Sequence, residues 1–228
     1  MTTAKIFTLL LALLSLATEA SALPSFPQVK SAHHRSDALI LDRHNDVIHE
    51  LRIDKAGRRL DWTELKDISP FLVKAVLYSE DRHFYEHAGV DWKAVGAAAV
   101  GRLFGSKKRG ASTISMQLAV MLKTGTAHKG RKSIRQKWDQ IEAARELETI
   151  WKKEEILETY LNLVSFRGEL QGIAVASRGL FDKEPSGLDD RESCVLAALI
   201  RSPNARSTDV GRRAADLATS LSPQIGHA

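Results

Sequence analysis

The run Ser69-Pro70-Phe71-Leu72-Val73-Lys74-Ala75-Val76-Leu77-Tyr78-Ser79-Glu80-Asp81-Arg82-His83-Phe84-Tyr85-Glu86-His87-Ala88-Gly89 organises the whole chain. Ser69 stands where a helix is capped, and Pro70 fits a first turn, which needs no backbone N–H. Phe71, Leu72, Ala75 and Val76 then recur on one helical face, which leads to Glu80, where apolar residues give way to polar ones. A carboxylate at such a boundary is partly desolvated. Desolvation raises its pKa and makes it a usable base near neutral pH. Taken alone, an acidic residue at a helix end is most often solvated surface, so the surrounding sequence has to decide.

Downstream, the pattern stays helical. Ser112 can cap a helix running to Lys123, with Gly125 placed to stop it. Ile134, Trp138, Ile141 and Ala144 recur at helical spacing, and Ile156, Leu157, Tyr160 and Leu161 mark the next helix. Stretches 170–181 and 191–200 predict two more, the last ended near Pro203. Upstream, 38–42 and 47–51 flank Asn45-Asp46 and predict a β-hairpin. Residues 23–37, with Pro24, Pro27 and paired His33-His34, read as a linker. The fold class expected is mainly α with a small N-terminal β-hairpin, and the working domain spans 38–228.

Residues 1–22 carry Lys5, an apolar run from Ile6 to Ala17, and Ala20-Ser21-Ala22, the pattern of a secretory signal peptide. The run is short for a bilayer span of about 20 residues, so a cleaved signal is the expectation and a short anchor the alternative. Export argues against nucleic acid as a partner, although 33 basic residues against 28 acidic ones give +5 and a pI near 9.3. The anionic partners expected of an exported basic chain are lipid headgroups, polyanionic wall material or a phosphorylated lipid. The excess is local: between Arg102 and Lys153, thirteen basic residues face four acidic ones. Most of these are expected to be solvated helix faces, with two or three meeting a ligand. A single cysteine, Cys194, excludes a disulfide framework and reads as core, and the eight histidines show no zinc spacing. No carboxylate cluster has metal-ligand spacing, so no protein-held metal is predicted.

Glu80-Asp81-x-x-Phe84-x-x-His87-x-Gly89 resembles the first motif of the peptidoglycan glycosyltransferases, the glycan-polymerising domains of class A penicillin-binding proteins and monofunctional transglycosylases. Gly110-Ala111-Ser112-Thr113-Ile114-Ser115-Met116-Gln117 resembles the second motif, Lys153 to Asn162 the fourth, and Phe166 to Phe181 the fifth, all in family order. The Met116-Gln117 pair and Leu170-Gln171-Gly172-Ile173 look most like the branch called penicillin-binding protein 1C.

The resemblance implies a lysozyme-like glycosyltransferase fold. It also implies an enzyme that joins lipid II, a lipid-linked disaccharide, into glycan strands with inversion and release of undecaprenyl pyrophosphate. Glu80 would be the base. Asp81, Phe84, His87, Ser112, Thr113, Gln117, Lys137, Lys153 and Asn162 would bind substrate, with Lys123 and Gln140 as weaker candidates. A divalent cation, Mg2+ or Mn2+, would assist the pyrophosphate. The partners implied are lipid II, the growing lipid-linked chain, the membrane surface and cell-wall synthases, at the periplasmic, outer face of the inner membrane. The stretch from Trp92 to Phe104, apolar with Lys107-Lys108-Arg109 after it, would meet the headgroups.

The sequence also departs from the family. Gln136 stands where an arginine is usual, Gln140 where a glutamate is usual, Val120 where a cation is common, and Arg167 where a glycine is common. Two other functions therefore compete: a weakly active or inactive lipid II-binding scaffold, and a lysozyme-like lytic enzyme with Glu80 as general acid. Lys123-Thr124-Gly125 and Ser202-Pro203-Asn204 echo transpeptidase elements, but no serine here is followed three residues later by lysine.

Overall fold

The computed structural model describes residues 23–103, 112–124 and 134–222. Residues 1–22, where a signal is expected, and the basic run Lys107-Lys108-Arg109 lie outside these residues.

The first element overturns part of the sequence reading. Residues 23–37 are not a linker. Phe26–Ala32 forms helix α1, opened by Ser25, whose backbone N–H donates to Gln28 Oε1 at 2.8 Å. The helix is held by aromatic contacts: Phe26 meets the rings of Trp62 and Trp151 edge-on, and Trp151 Nε1 donates to the Pro24 carbonyl at 3.1 Å. Leu23 is buried in the main core.

The hairpin forms as the alternation predicts, from β1 (Asp37–Leu41) and β2 (Val47–Arg52), paired antiparallel. Asn45 takes the left-handed conformation at φ 67, which asparagine tolerates in a tight turn.

The rest of the described chain is helical: α2 (Pro70–Glu80), α3 (Trp92–Leu103), α4 (Ile114–Thr124), α5 (Ile134–Ile150), α6 (Lys153–Leu163), α7 (Ile173–Phe181), α8 (Asp190–Arg201) and α9 (Ser207–Leu221). Helix α8 begins as its sequence demands. Asp189 accepts from the N–H groups of Arg191 and Glu192, and Glu192 reaches back to the Asp189 N–H. Helix α2 packs on α8, α8 on α9, and α4 lies against both α5 and α6.

One core joins these helices other than α3, with Leu72, Phe84, Leu118, Leu147, Tyr160 and Phe166 among its most deeply buried members. Each large apolar side chain so buried contributes about 1.5–3 kcal/mol. A smaller cluster of Val90, Met116, Ile141 and Ala144 seals α4 against α5. Cys194 is buried, as its apolar neighbours predict, and burial pushes its thiol up to about 11.

Two glycines fix how closely these layers approach. At Gly89, φ is +85 and a Cβ would stand 2.7 Å from the Ala144 carbonyl oxygen on α5. At Gly172, φ is +92 and a Cβ would stand 2.6 Å from the Asn162 carbonyl oxygen on α6. Neither position admits a side chain without moving backbone.

Candidate active site

Helix α2 delivers Glu80 at its last turn. Leu72, Ala75 and Val76 anchor its buried face, so the C-terminal end is held against the core rather than frayed. Glu80 itself is half-buried. Burial raises its proton affinity above the ordinary carboxyl value, more than the hydrogen bond from Gln117 and the nearby positive charge of Arg201 lower it. Gln117 Nε2 donates to Glu80 Oε2 at 3.1 Å, and Ser79 Oγ lies 3.4 Å from Glu80 Oε1. The boundary position thus produces the partly desolvated carboxylate that acid–base chemistry requires.

Asp81 ties the first motif to the second. Its Oδ2 accepts from the Ile114 N–H at the start of α4 at 3.0 Å. Its two oxygens lie 3.0 and 3.1 Å from His87 Nε2. Thr113 makes a second tie: its hydroxyl donates to the Gly89 carbonyl at 2.6 Å and accepts from the Met116 N–H at 3.2 Å. The cap of α4 is therefore Thr113, not Ser112 as expected. Neighbouring hydroxyls cannot be told apart by pattern, and the Gly89 carbonyl selects between them. Ser112 instead accepts from Lys137 Nζ at 2.7 Å, joining the second motif to α5.

A second buried cluster backs this arrangement. Lys153 Nζ donates to Glu148 and to the His87 carbonyl, both at 2.7 Å, and sits 4.4 Å from the centre of the Phe84 ring. Ser115 Oγ also donates to Glu148. His87 Nδ1 is buried, 4.0 Å from Glu148 Oε1, with no hydrogen-bond partner.

The predicted residues thus divide. Glu80, Gln117 and Ser112, in the two linked motifs, and Lys137 on α5 stand at half-buried positions. Asp81, His87, Thr113 and Lys153 direct polar groups at one another, at backbone and at Glu148, over the buried Phe84 ring, and of these groups only His87 Nδ1 is left without a partner among the described residues. Asn162 is drawn elsewhere. It is 2% exposed, accepts from the Thr63 N–H at 2.9 Å, and donates to the carbonyls of Thr63 and Glu158 at 2.8 Å each. It fastens the segment before α2 to α6. Lys123 is exposed at the end of α4, and Gln140 is buried on α5. Of the departures, Val120 is half-buried and Gln136 exposed.

Sequence reasoning missed one cationic feature. An open groove of about 720 Å³ borders the α2 terminus and is lined by Ser79, Arg82, Arg201, Arg212, Arg213 and Asp216. Arg201 Nη1 lies 3.5 Å from the Ser79 carbonyl, Arg82 stacks 3.6 Å from the Tyr78 ring centre, and Arg213 Nη1 is buried without a hydrogen-bond partner. Arg201 directly precedes Ser202-Pro203-Asn204, so the signal lay beside a motif set aside as coincidence.

The donor set offers little to a divalent cation. Asp81 is engaged by His87 and Ile114, and Glu148 by Lys153 and Ser115. Among the described residues no three His, Cys, Asp or Glu side chains gather as a metal-binding group. The described residues do not fit a protein-held cation.

Fold and site together define a class: a mainly α chain with a partly desolvated carboxylate at a helix end, near the positive charge of Arg201. Comparison with known proteins narrows it. A family model described as Transglycosylase matches residues 44–221, and the chain belongs to that family. A biosynthetic peptidoglycan transglycosylase of Mannheimia succiniciproducens is 40% identical over 143 residues, covering 63% of this chain and 57% of the relative. One from Rhodospirillum centenum is 38% identical over 148 residues, 65% of this chain and 62% of the relative. Penicillin-binding protein 2D of Bacillus subtilis is 37% identical over 152 residues, 66% of this chain and 21% of the relative. The chain thus spans less than two thirds of the length of these curated relatives.

Proposed function

We propose that this chain polymerises lipid II into glycan strands. The acceptor's sugar 4-hydroxyl attacks C1 of the donor. The O4–C1 bond forms as the bond from C1 to the diphosphate oxygen breaks, inverting the anomeric centre. Glu80 takes the hydroxyl proton, and undecaprenyl pyrophosphate leaves with the electron pair. The observation that carries the reading is Glu80 itself: half-buried, raised in proton affinity by that burial, and held by Gln117. A positioned general base is worth about 10²–10⁴ in rate; the remainder falls to orientation and to charge stabilisation of the leaving group.

Two cationic regions suit a reaction between two lipid diphosphates. Lys137 with Ser112 would meet the donor's leaving diphosphate. The arginine groove beside Ser79 would hold the diphosphate of the acceptor, and the buried, unpartnered Nη1 of Arg213 fits an anionic oxygen. The divalent cation of the family resemblance would then be carried by the substrate phosphates, since Mg2+ is commonly held by phosphates plus few protein carboxylates.

The reaction belongs at the periplasmic face of the inner membrane, where both lipids lie. Trp92, 55% exposed at the start of α3, suits a headgroup boundary. No helix among the described residues is long and apolar enough to cross a membrane. Membrane attachment and synthase partners belong to the same proposal.

The test is incubation of the full chain with labelled lipid II in detergent, with and without Mg2+. Polymer is expected from the wild type, none from Glu80→Gln, and little from Lys137→Ala despite an unchanged fold by circular dichroism. Polymer from Glu80→Gln would overturn the base assignment. Muropeptides released from sacculi would point to lytic chemistry, and lipid II binding without turnover to a scaffold.

A further inference from the structure

Tyr160 is buried on α6 and is not in contact with solvent. Its hydroxyl lies 3.1 Å from Gln117 Oε1, and no other partner for that hydroxyl is present among the described residues. Gln117 turns its other end to Glu80, with Nε2 donating to Oε2 at 3.1 Å. Three side chains from three helices therefore make one line: phenol, amide, carboxylate.

A glutamine amide can sit either way round, and its two ends have opposite hydrogen-bonding character. The flipped amide would set Oε1 against an ionised Glu80, acceptor facing acceptor. It would also turn Nε2 toward the phenol oxygen and leave the phenol proton buried with nothing to accept it. Leaving a buried donor unmet is costlier than a hydrogen bond is beneficial. Burial also holds Tyr160 well above the ordinary phenol range, so it remains a donor throughout the working pH range.

We infer that Tyr160 is a positioning residue: its hydroxyl fixes the Gln117 amide so that a donor always faces Glu80. The inference rests on the reading of Glu80 as the base, and it assigns a role to a residue that otherwise reads only as helix core. A fixed donor favours the ionised carboxylate and aims its second oxygen, the one that must receive the proton. Among the described residues, the charged and titratable groups that act on Glu80 are Arg201 from α8, Asp81 beside it on the chain and Tyr160 itself. Of these, only Tyr160 acts through the amide.

Tyr160→Phe keeps the ring and removes only the hydroxyl. The amide is then free to turn its oxygen toward protonated Glu80 and stabilise the wrong form. The acid limb of kcat/KM against pH for lipid II polymerisation should move up by about 0.5–1 in pH, the worth of one hydrogen bond at about 1.4 kcal/mol per pH decade. KM should hold.

The same rise should be visible without turnover, in the carboxyl 13C titration of Glu80 in full-length, glutamate-labelled protein, assigned by its absence in Glu80→Gln. Gln117→Met removes both ends of the amide at similar volume, and in that background Tyr160→Phe should move the titration no further. A carboxyl titration identical in wild type and Tyr160→Phe overturns the positioning role, whatever the activity. A shifted titration in a protein that makes no polymer keeps the positioning role and overturns the polymerase reading. An equal shift in the Gln117→Met background shows a route other than the amide and also overturns it.

Discussion

Asp81→Ala separates a structural role from a substrate-binding one. Asp81 is 6% exposed and its carboxylate meets two buried groups: the Ile114 N–H at 3.0 Å and His87 Nε2 at 3.0 Å. Ile114 is fully buried, so the freed N–H finds no water in its place. His87 already carries one nitrogen without a partner and would then carry two. Each buried polar group left unmet costs about 1–3 kcal/mol, so leaving these two unmet should cost about 2–6 kcal/mol in all. In a domain of this size, 1 kcal/mol moves the melting point by about 2–4 °C, giving a fall of about 4–24 °C. Asp81→Asn keeps an oxygen for the Ile114 N–H and should lose less than half of that. Urea titration by circular dichroism and thermal melts of the three proteins measure it. Stabilities of Asp81→Ala and wild type within about 1 kcal/mol, with the loss appearing only in lipid II binding, would refute the structural account and return Asp81 to the substrate.

Gly89→Ala combines a left-handed φ with a Cβ 2.7 Å from the Ala144 carbonyl, and should destabilise by about 2–4 kcal/mol. Gly96→Ala, mid-helix with nothing within 4 Å, should instead stabilise by about 0.5–1 kcal/mol; equal melting points for the two would contradict the close approach of α5. Burial raises the proton affinity of Glu80 in the folded state, so its contribution to stability is complete below the unfolded carboxyl range near about 4.3 and is lost as pH rises through the folded value. Glu80→Gln should therefore melt with the wild type near pH 4 and above it at pH 8; a lower melting point at pH 8 would count against the buried carboxylate. Cys194, buried with its thiol near 11, should resist a disulfide reagent at pH 8 until urea unfolds the chain; rapid labelling of native protein would place it at the surface.

The fold was legible wherever a periodic apolar face met a local stop or start signal. Pro70 opens α2, Asn45 turns the hairpin, and the stretch before Pro203 ends α8 within a residue or two of expectation. Helix α1 was hidden because it has few apolar residues of its own; its stability comes from Trp62 and Trp151, which no local pattern connects to Phe26. The carboxylate at the α2 terminus was legible because burial could be inferred from the residues preceding it. The arginine groove was not, because Arg82, Arg201 and Arg213 come from separate parts of the chain and meet only after α2, α8 and α9 have packed. Of the charge excess from Arg102 to Lys153, most of the described cations are solvated, as the sequence reading expects. Arg135, Arg145 and Lys152 are exposed, while Lys137 and Lys153 are the half-buried cations described in that stretch.

Glu80 is both a motif residue and the proposed reacting group, but most of the motif residues around it are not reacting groups. A motif marks positions where substitution is costly, and an interior hydrogen bond makes it as costly as a contact with substrate. Asp81, Thr113, Lys153 and Asn162 all satisfy their polar groups inside the protein, and their common effect is to hold α4 and the segment before α2 at fixed distances from Glu80. The departures at Gln136 and Gln140 are not partners in these four hydrogen bonds. Both stand on α5 with Lys137, away from the α2 terminus that carries the carboxylate. A loss of rate from those departures should therefore appear in departure of the diphosphate, with proton removal unchanged. Restoring arginine at Gln136 should raise kcat while leaving the acid limb of the pH profile where it is; movement of that limb would show that the two flanks are coupled through Gln117 after all.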